Sequence, residues 1–102
     1  PLHEAVSAGN LEMVKLLIES ADINKADDWG KTALYIACNN DYFEIIKLLI
    51  EKGADINKAN NYNETPLYKA VLNNKPEMVK LLIEKGADIN KADNYNETPL
   101  YN

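Results

Sequence analysis

The chain has 102 residues, 46% hydrophobic and 26% charged, with four Gly and four Pro, the profile of about one globular domain and not of a disordered or collagen-like chain. Eleven basic residues, all lysine, against 16 acidic ones leave a net charge of −5 with the signs alternating along the chain, which disfavours phosphate-driven nucleic-acid binding. The longest wholly apolar runs, such as Leu16-Leu17-Ile18, fall far short of the roughly 20 residues of a membrane span, and the lone Cys38 cannot form an internal disulfide, so no membrane insertion and an intracellular address are expected.

In chain order, Pro1-Leu2-His3-Glu4-Ala5 opens a short apolar stretch, and a leucine-rich segment then runs to Lys15-Leu16-Leu17-Ile18-Glu19-Ser20 before Ala21-Asp22-Ile23-Asn24. Thr32 stands as an N-cap whose side-chain oxygen takes a free backbone N–H, which starts a first helix; Thr65 and Thr98 repeat this with Pro66 and Pro99 at the first helical position. After an Asn-rich break, Glu44 to Ile50 places Ile45, Ile46, Leu48 and Leu49 along one face of a second helix, and Gly53 supplies a left-handed C-terminal cap. The stretch from Ala54-Asp55-Ile56-Asn57 to Asn63 is rich in Asp and Asn and suits a hairpin-like finger that turns back toward the next threonine.

The same order then recurs. Thr32, Thr65 and Thr98 are 33 apart, as are Gly53 and Gly86, and Lys80 to Asn90 copies Lys47 to Asn57. The first unit is one residue shorter because Ser20 stands where the others have Lys-Gly, so an irregular end to its second helix is expected. The units run over about 1–26, 27–59 and 60–92, with a partial one over 93–102. A unit this short cannot bury its own apolar face, so Leu34, Ile36, Ala37, Ile45, Leu48 and Leu49 are expected to pack against neighbouring units.

Thr65-Pro66-Leu67-Tyr68-Lys69-Ala70 and Gly86-Ala87-Asp88-Ile89-Asn90 resemble the opening and the connector of the ankyrin repeat, and the resemblance recurs in register over the whole chain. It implies an all-α ankyrin-repeat solenoid of helix-turn-helix units with finger loops. The chain departs from the family pattern in having Tyr35, Tyr68 and Tyr101 where histidine is usual, with only His3 conforming, and Ala33 in place of proline. The turn glycine survives as Gly30 but becomes Asn63 and Asn96, and asparagine is the residue that best tolerates the same positive φ. Both ends fall inside the motif, and neither carries a polar capping face; a fragment of a longer array is expected, or copies stacking head to tail.

Little in the sequence points to catalysis. Cys38 shares its slot with Val6 and Val71, which marks it as a buried apolar residue; one His and one Cys cannot make a four-ligand N/S zinc site, so no metal and no cofactor are expected. Asp22, Asp55 and Asp88 recur with the repeat, as a hydrogen-bonding role within each connector would. Asn24, Asn57 and Asn90 fit an asparagine that bonds its own turn, while the family resemblance adds the reading of a target for an oxygen-dependent asparaginyl hydroxylase.

The resemblance further implies a non-catalytic module that binds a partner protein through its fingertips and the concave side of its first helices, with a structural spacer or self-associating segment as the alternative. The matching tip residues are Asp28, Trp29 and Lys31, then Asn61, Tyr62 and Glu64, then Asn94, Tyr95 and Glu97. The helix side offers Ser7, Ala8, Asn39, Asn40, Leu72 and Asn73. Trp29, Tyr62 and Tyr95 form one aromatic row, which either anchors a partner or packs sideways to stiffen the array. The abundance of Asn, Lys, Ile and Tyr without Arg fits AT-rich coding, which leaves open a microbial or viral source and secretion of a parent protein into a host cell.

Overall fold

The computed structural model describes residues 1–90. They form six helices and, among the described residues, no strand: α1 Leu2–Ser7, α2 Leu11–Leu17, α3 Ala33–Asn39, α4 Phe43–Glu51, α5 Pro66–Leu72 and α6 Pro76–Glu84. They are arranged as three pairs. The fourth threonine-proline start, at Thr98 and Pro99, lies outside the described residues.

Local chemistry sets each boundary. The Thr32 hydroxyl accepts from the Tyr35 N–H at 3.2 Å and Thr65 from Tyr68 at 3.0 Å, with Pro66 in the first turn. Asn10 plays the same part for α2, accepting from Met13 at 3.1 Å. The first helices end on a left-handed residue of three different types, Gly9, Asp41 and Asn74, at φ 69°, 61° and 56°. In the third pair Asn74 N–H bonds the Val71 carbonyl at 3.0 Å and Lys75 N–H the Ala70 carbonyl at 3.1 Å, a double closure that the other two pairs repeat. The Asn-rich break of the sequence is thus a defined reversal. Gly53 and Gly86 close α4 and α6 in the same way, as their sequence positions predict.

The irregularity expected at Ser20 is present. Repeat spacing pairs Glu19 with Glu51 and Glu84, yet α2 stops at Leu17 where α4 and α6 run on to those glutamates. Without a glycine to turn left-handed, the chain leaves α2 through a tighter turn in which Ser20 and Ala21 both donate to the Leu17 carbonyl, at 3.2 and 3.0 Å.

Among the described residues no helix exceeds nine residues, too short to stand alone in water, so their stability comes from packing. α1 lies against α3 and α3 against α5, while α2 packs on α4. Val6, Val14, Leu34, Ala37, Ile46, Leu49, Leu67, Met78 and Leu82 join in one continuous core. Of the core expected from sequence, Leu34, Ile36, Ala37, Ile45 and Leu49 are buried, and Leu48 is half-buried in a crevice between α2 and α4. None of the helices among the described residues is long and apolar enough to cross a membrane.

The connectors add polar links between units, and here one expectation is corrected. Asp22, Asp55 and Asp88 do serve their own turns, each accepting from the N–H of the asparagine two residues on. Asn24 and Asn57 do not: Asn24 Oδ1 accepts from the Asp55 N–H at 2.6 Å and Asn57 Oδ1 from the Asp88 N–H at 2.7 Å, each in the following unit. Asn57 Nδ2 also donates to the Gly86 carbonyl at 3.4 Å. The aspartate already occupies the local donor, so the asparagine side chain is left to reach across the stack.

Candidate functional site

Each of the two fingers among the described residues is built on one short side chain. Asp27 Oδ1 accepts from the Trp29 and Lys31 N–H groups at 2.9 and 2.8 Å, and the Asp27 N–H closes the loop on the Lys31 carbonyl at 3.0 Å. Asn60, its counterpart 33 residues on, accepts from Tyr62 and Glu64 at 2.9 and 3.0 Å and closes on the Glu64 carbonyl at 2.9 Å. Gly30 and Asn63 sit at the same place in the two turns with φ 77° and 65°, so the asparagine keeps the turn as expected. Each of these two fingers is a hydrogen-bonded turn closed by two backbone bonds, the second running from the Gly30 N–H to the Asp27 carbonyl at 2.9 Å and from the Asn63 N–H to the Asn60 carbonyl at 3.0 Å.

The two fingers are also locked to one another. Asn61 N–H donates to the Trp29 carbonyl at 2.8 Å, and its side-chain amide to the Asp28 carbonyl at 3.0 Å. This lock holds Trp29 and Tyr62 at matching positions, each 57% exposed. Lys31 places its ammonium 5.9 Å from the Trp29 ring centroid.

The remaining sequence-selected residues fall on two sides of this line. Asp28, Asn39, Asn40, Asn61 and Leu72 are exposed, as are Ser7 and Ala8, while Lys31 and Asn73 are half-buried. Asn40 and Asn73 have amides engaged at 3.1 Å with the Ile36 carbonyl and 3.5 Å with the Asn39 carbonyl. Glu64 is half-buried and committed within the array, accepting from Asn60 Nδ2 at 3.0 Å and from the Tyr35 hydroxyl at 3.2 Å. Asn94, Tyr95 and Glu97 lie outside the described residues.

Tyr35 shows what the tyrosine does in the slot where histidine is usual: it is buried, and its hydroxyl reaches the next finger where His3 Nε2 contacts the Lys25 carbonyl at 2.8 Å. Burial, and then the Glu64 carboxylate, push the Tyr35 phenol well above its ordinary value. The sequence reading missed a second pair of links. Tyr42 donates its hydroxyl to the Ser7 carbonyl at 3.3 Å, and Lys75, 33 residues on, bridges Asp41 at 3.3 Å, so each reaches back to the preceding unit's reversal. Their spacing was legible; that they point backward was not.

Cys38 is fully buried, and burial, with Asp41 adding to it, pushes its thiol far above the usual range, the opposite of an activated nucleophile. Among the described residues no group of three or more His, Cys, Asp or Glu could hold a metal ion.

A family model for ankyrin repeats, in three copies, matches residues 1–101. The chain is similar to protein phosphatase 1 regulatory subunit 27 of Mus musculus, 53% identical over 53 residues, or 51% of this chain and 34% of that protein. It is also similar to the probable 26S proteasome regulatory subunit p28 of Saccharomyces cerevisiae, 43% identical over 56 residues, or 52% of this chain and 25% of that protein. An acyl-CoA-binding domain-containing protein 6 homolog of Dictyostelium discoideum is 52% identical over 50 residues, or 47% of this chain and 17% of that protein. The chain spans about a third or less of these relatives, whose names assign them different roles. Ankyrin repeats are protein–protein interaction modules, and with the family model covering nearly every residue this chain belongs to the ankyrin-repeat family.

Proposed function

We propose that this chain is a non-catalytic module that binds a partner protein through its fingertips and the concave side of its first helices. The observation that carries the reading is the pair Trp29 and Tyr62, large amphipathic rings left more than half exposed on fingers that are hydrogen-bonded to each other. Ordering the tips before a partner arrives lowers the entropy lost on binding, and aromatic side chains in a polar surround are the type that most often dominates interface energy. Tyr95 extends the row in sequence, and Leu72, exposed at the end of α5, gives the helix side an apolar contact. The relatives named as regulatory subunits of a phosphatase and of a proteasome fit a module whose work is to hold one protein against another.

The test is capture from source lysate by the wild-type chain and by a Trp29→Ala, Tyr62→Ala, Tyr95→Ala triple variant, with circular dichroism confirming that both fold. Proteins retained by the wild type and lost by the folded variant are the expected result. Equal capture by the two removes the aromatic row from the site. A variant that loses stability without losing capture shows the rings to be stiffeners.

A further inference from the structure

We propose that the segment read by the fingertips is a proline-rich stretch in the polyproline II conformation, one turn of it per finger, with prolines three apart stacked on Trp29 and Tyr62. This rests on the fingertip binding proposed above and names the chemistry of what binds. Both rings are 57% exposed although one stands on the first finger and the other on the second, so the exposure belongs to the fingertip position. Each ring carries one polar donor, the Trp29 Nε1–H and the Tyr62 hydroxyl, and neither donor has a hydrogen-bond partner among the described residues.

The repeat sets the spacing of the rings. α3 and α5 pack against each other, which separates neighbouring units by about 8–10 Å. The Asn61 N–H bond to the Trp29 carbonyl carries that offset out to the fingers. A polyproline II helix has three residues per turn and rises about 3.1 Å per residue, so side chains three apart share one face at about 9 Å, the spacing of the units. A β-strand covers that distance in the same three residues, but its alternation turns the second side chain to the opposite face. An α-helix needs positions about seven apart, and its carbonyls are bonded within the helix, which leaves the ring donors idle. Polyproline II carbonyls are unbonded, so they accept from the indole N–H and the phenol while the proline rings stack on the aromatic ones.

The charge of the two turns, 27–31 and 60–64, agrees. Asp27 is spent on its own turn, and Glu64 on Asn60 and Tyr35. That leaves Asp28 and Lys31, one of each sign, so the row is neutral in a chain of net charge −5. Such a row suits an uncharged segment better than an acidic or a basic one. Both sides are also ordered before they meet, the fingers by their bonds to each other and the polyproline II segment by its proline rings.

The test titrates the 102-residue chain against two labelled peptides of alanine and proline, equal in length and proline content. One has proline at every third position and the other at every second. Peptide anisotropy reads binding, and the emission of Trp29, the single tryptophan, reads its place. The first peptide is expected to bind with a Kd below about 1 mM and to shift the Trp29 emission, and the second to bind at least about tenfold more weakly. Tyr62→Ala, its fold checked by circular dichroism, is expected to weaken the first peptide about tenfold, and Tyr62→Trp to restore it. Four results each overturn the proposal: no anisotropy rise up to about 1 mM, equal binding of the two peptides, binding with unchanged Trp29 emission, or a Tyr62→Ala variant that binds like the wild type. Lysate capture decides the wider reading separately. Capture that depends on the aromatic row but is untouched by an excess of the first peptide keeps partner binding and discards the polyproline II assignment.

Discussion

Gly30→Ala offers a sharp test of the finger lock. Gly30 has φ 77°, and a Cβ built there would sit 2.7 Å from the Asn61 backbone nitrogen and closer still to its side-chain oxygen, so the neighbouring finger must move away. Holding alanine in the left-handed region costs about 1–2 kcal/mol. Displacing Asn61 also loses its bonds to the Trp29 and Asp28 carbonyls, at about 0.5–1.5 kcal/mol each, for a total near 3 kcal/mol. Gly53→Ala is the control, because Gly53 has φ 97° but nothing within 4 Å of the added carbon. Urea unfolding followed by circular dichroism gives both costs, and fluorescence of Trp29, the single tryptophan, reports the finger itself. Gly30→Ala is expected to lower the urea midpoint by about 1–2 M relative to wild type and clearly more than Gly53→Ala. Equal losses in the two variants would refute the claim that fingers are held by contact with one another.

Asn57→Ala should cost about 1–2 kcal/mol in the same urea assay, since it removes the acceptor for the Asp88 N–H and the donor to the Gly86 carbonyl; no change would mean these links between units are replaced by water without loss. Stability should fall at alkaline pH. The folded thiol of Cys38 and phenol of Tyr35 titrate above their ordinary values of 9.0 and 10.0, so the unfolded chain loses these protons first, and stability present below pH 9 declines as pH rises. The slope is about 1.4 kcal/mol per pH unit for Cys38 above pH 9, with a similar contribution from Tyr35 above pH 10. Cys38→Val, which installs the residue found at Val6 and Val71, should flatten the first part of that slope in urea titrations at pH 8, 9 and 10; an unchanged slope would argue against a buried neutral thiol.

Much of the architecture was legible in the chain because its determinants are local. The spacing of Thr32 and Thr65, Pro66 in a first turn, Gly53 and Gly86 after the second helices and the missing residue at Ser20 each act within a few positions, and the structure uses them as the sequence order suggests. The 33-residue period then requires stacking, since no single unit can cover its own apolar face. The exposed positions of Trp29 and Tyr62 were likewise readable, because tip residues of a short finger have little core to enter.

Tertiary structure alone decided which neighbour each polar side chain would meet. Asn24 reaching Asp55, Tyr35 reaching Glu64, Tyr42 reaching Ser7 and Asn61 reaching Trp29 span 29 to 35 residues, about one repeat each. Those meetings depend on the rise and rotation from one unit to the next, which the packing of all the buried side chains sets together. The same geometry turned Glu64 from a free tip residue into a brace between two units. A linear sequence gives the period at which contacts recur, whereas the offset of one unit on the next exists only once the units are stacked.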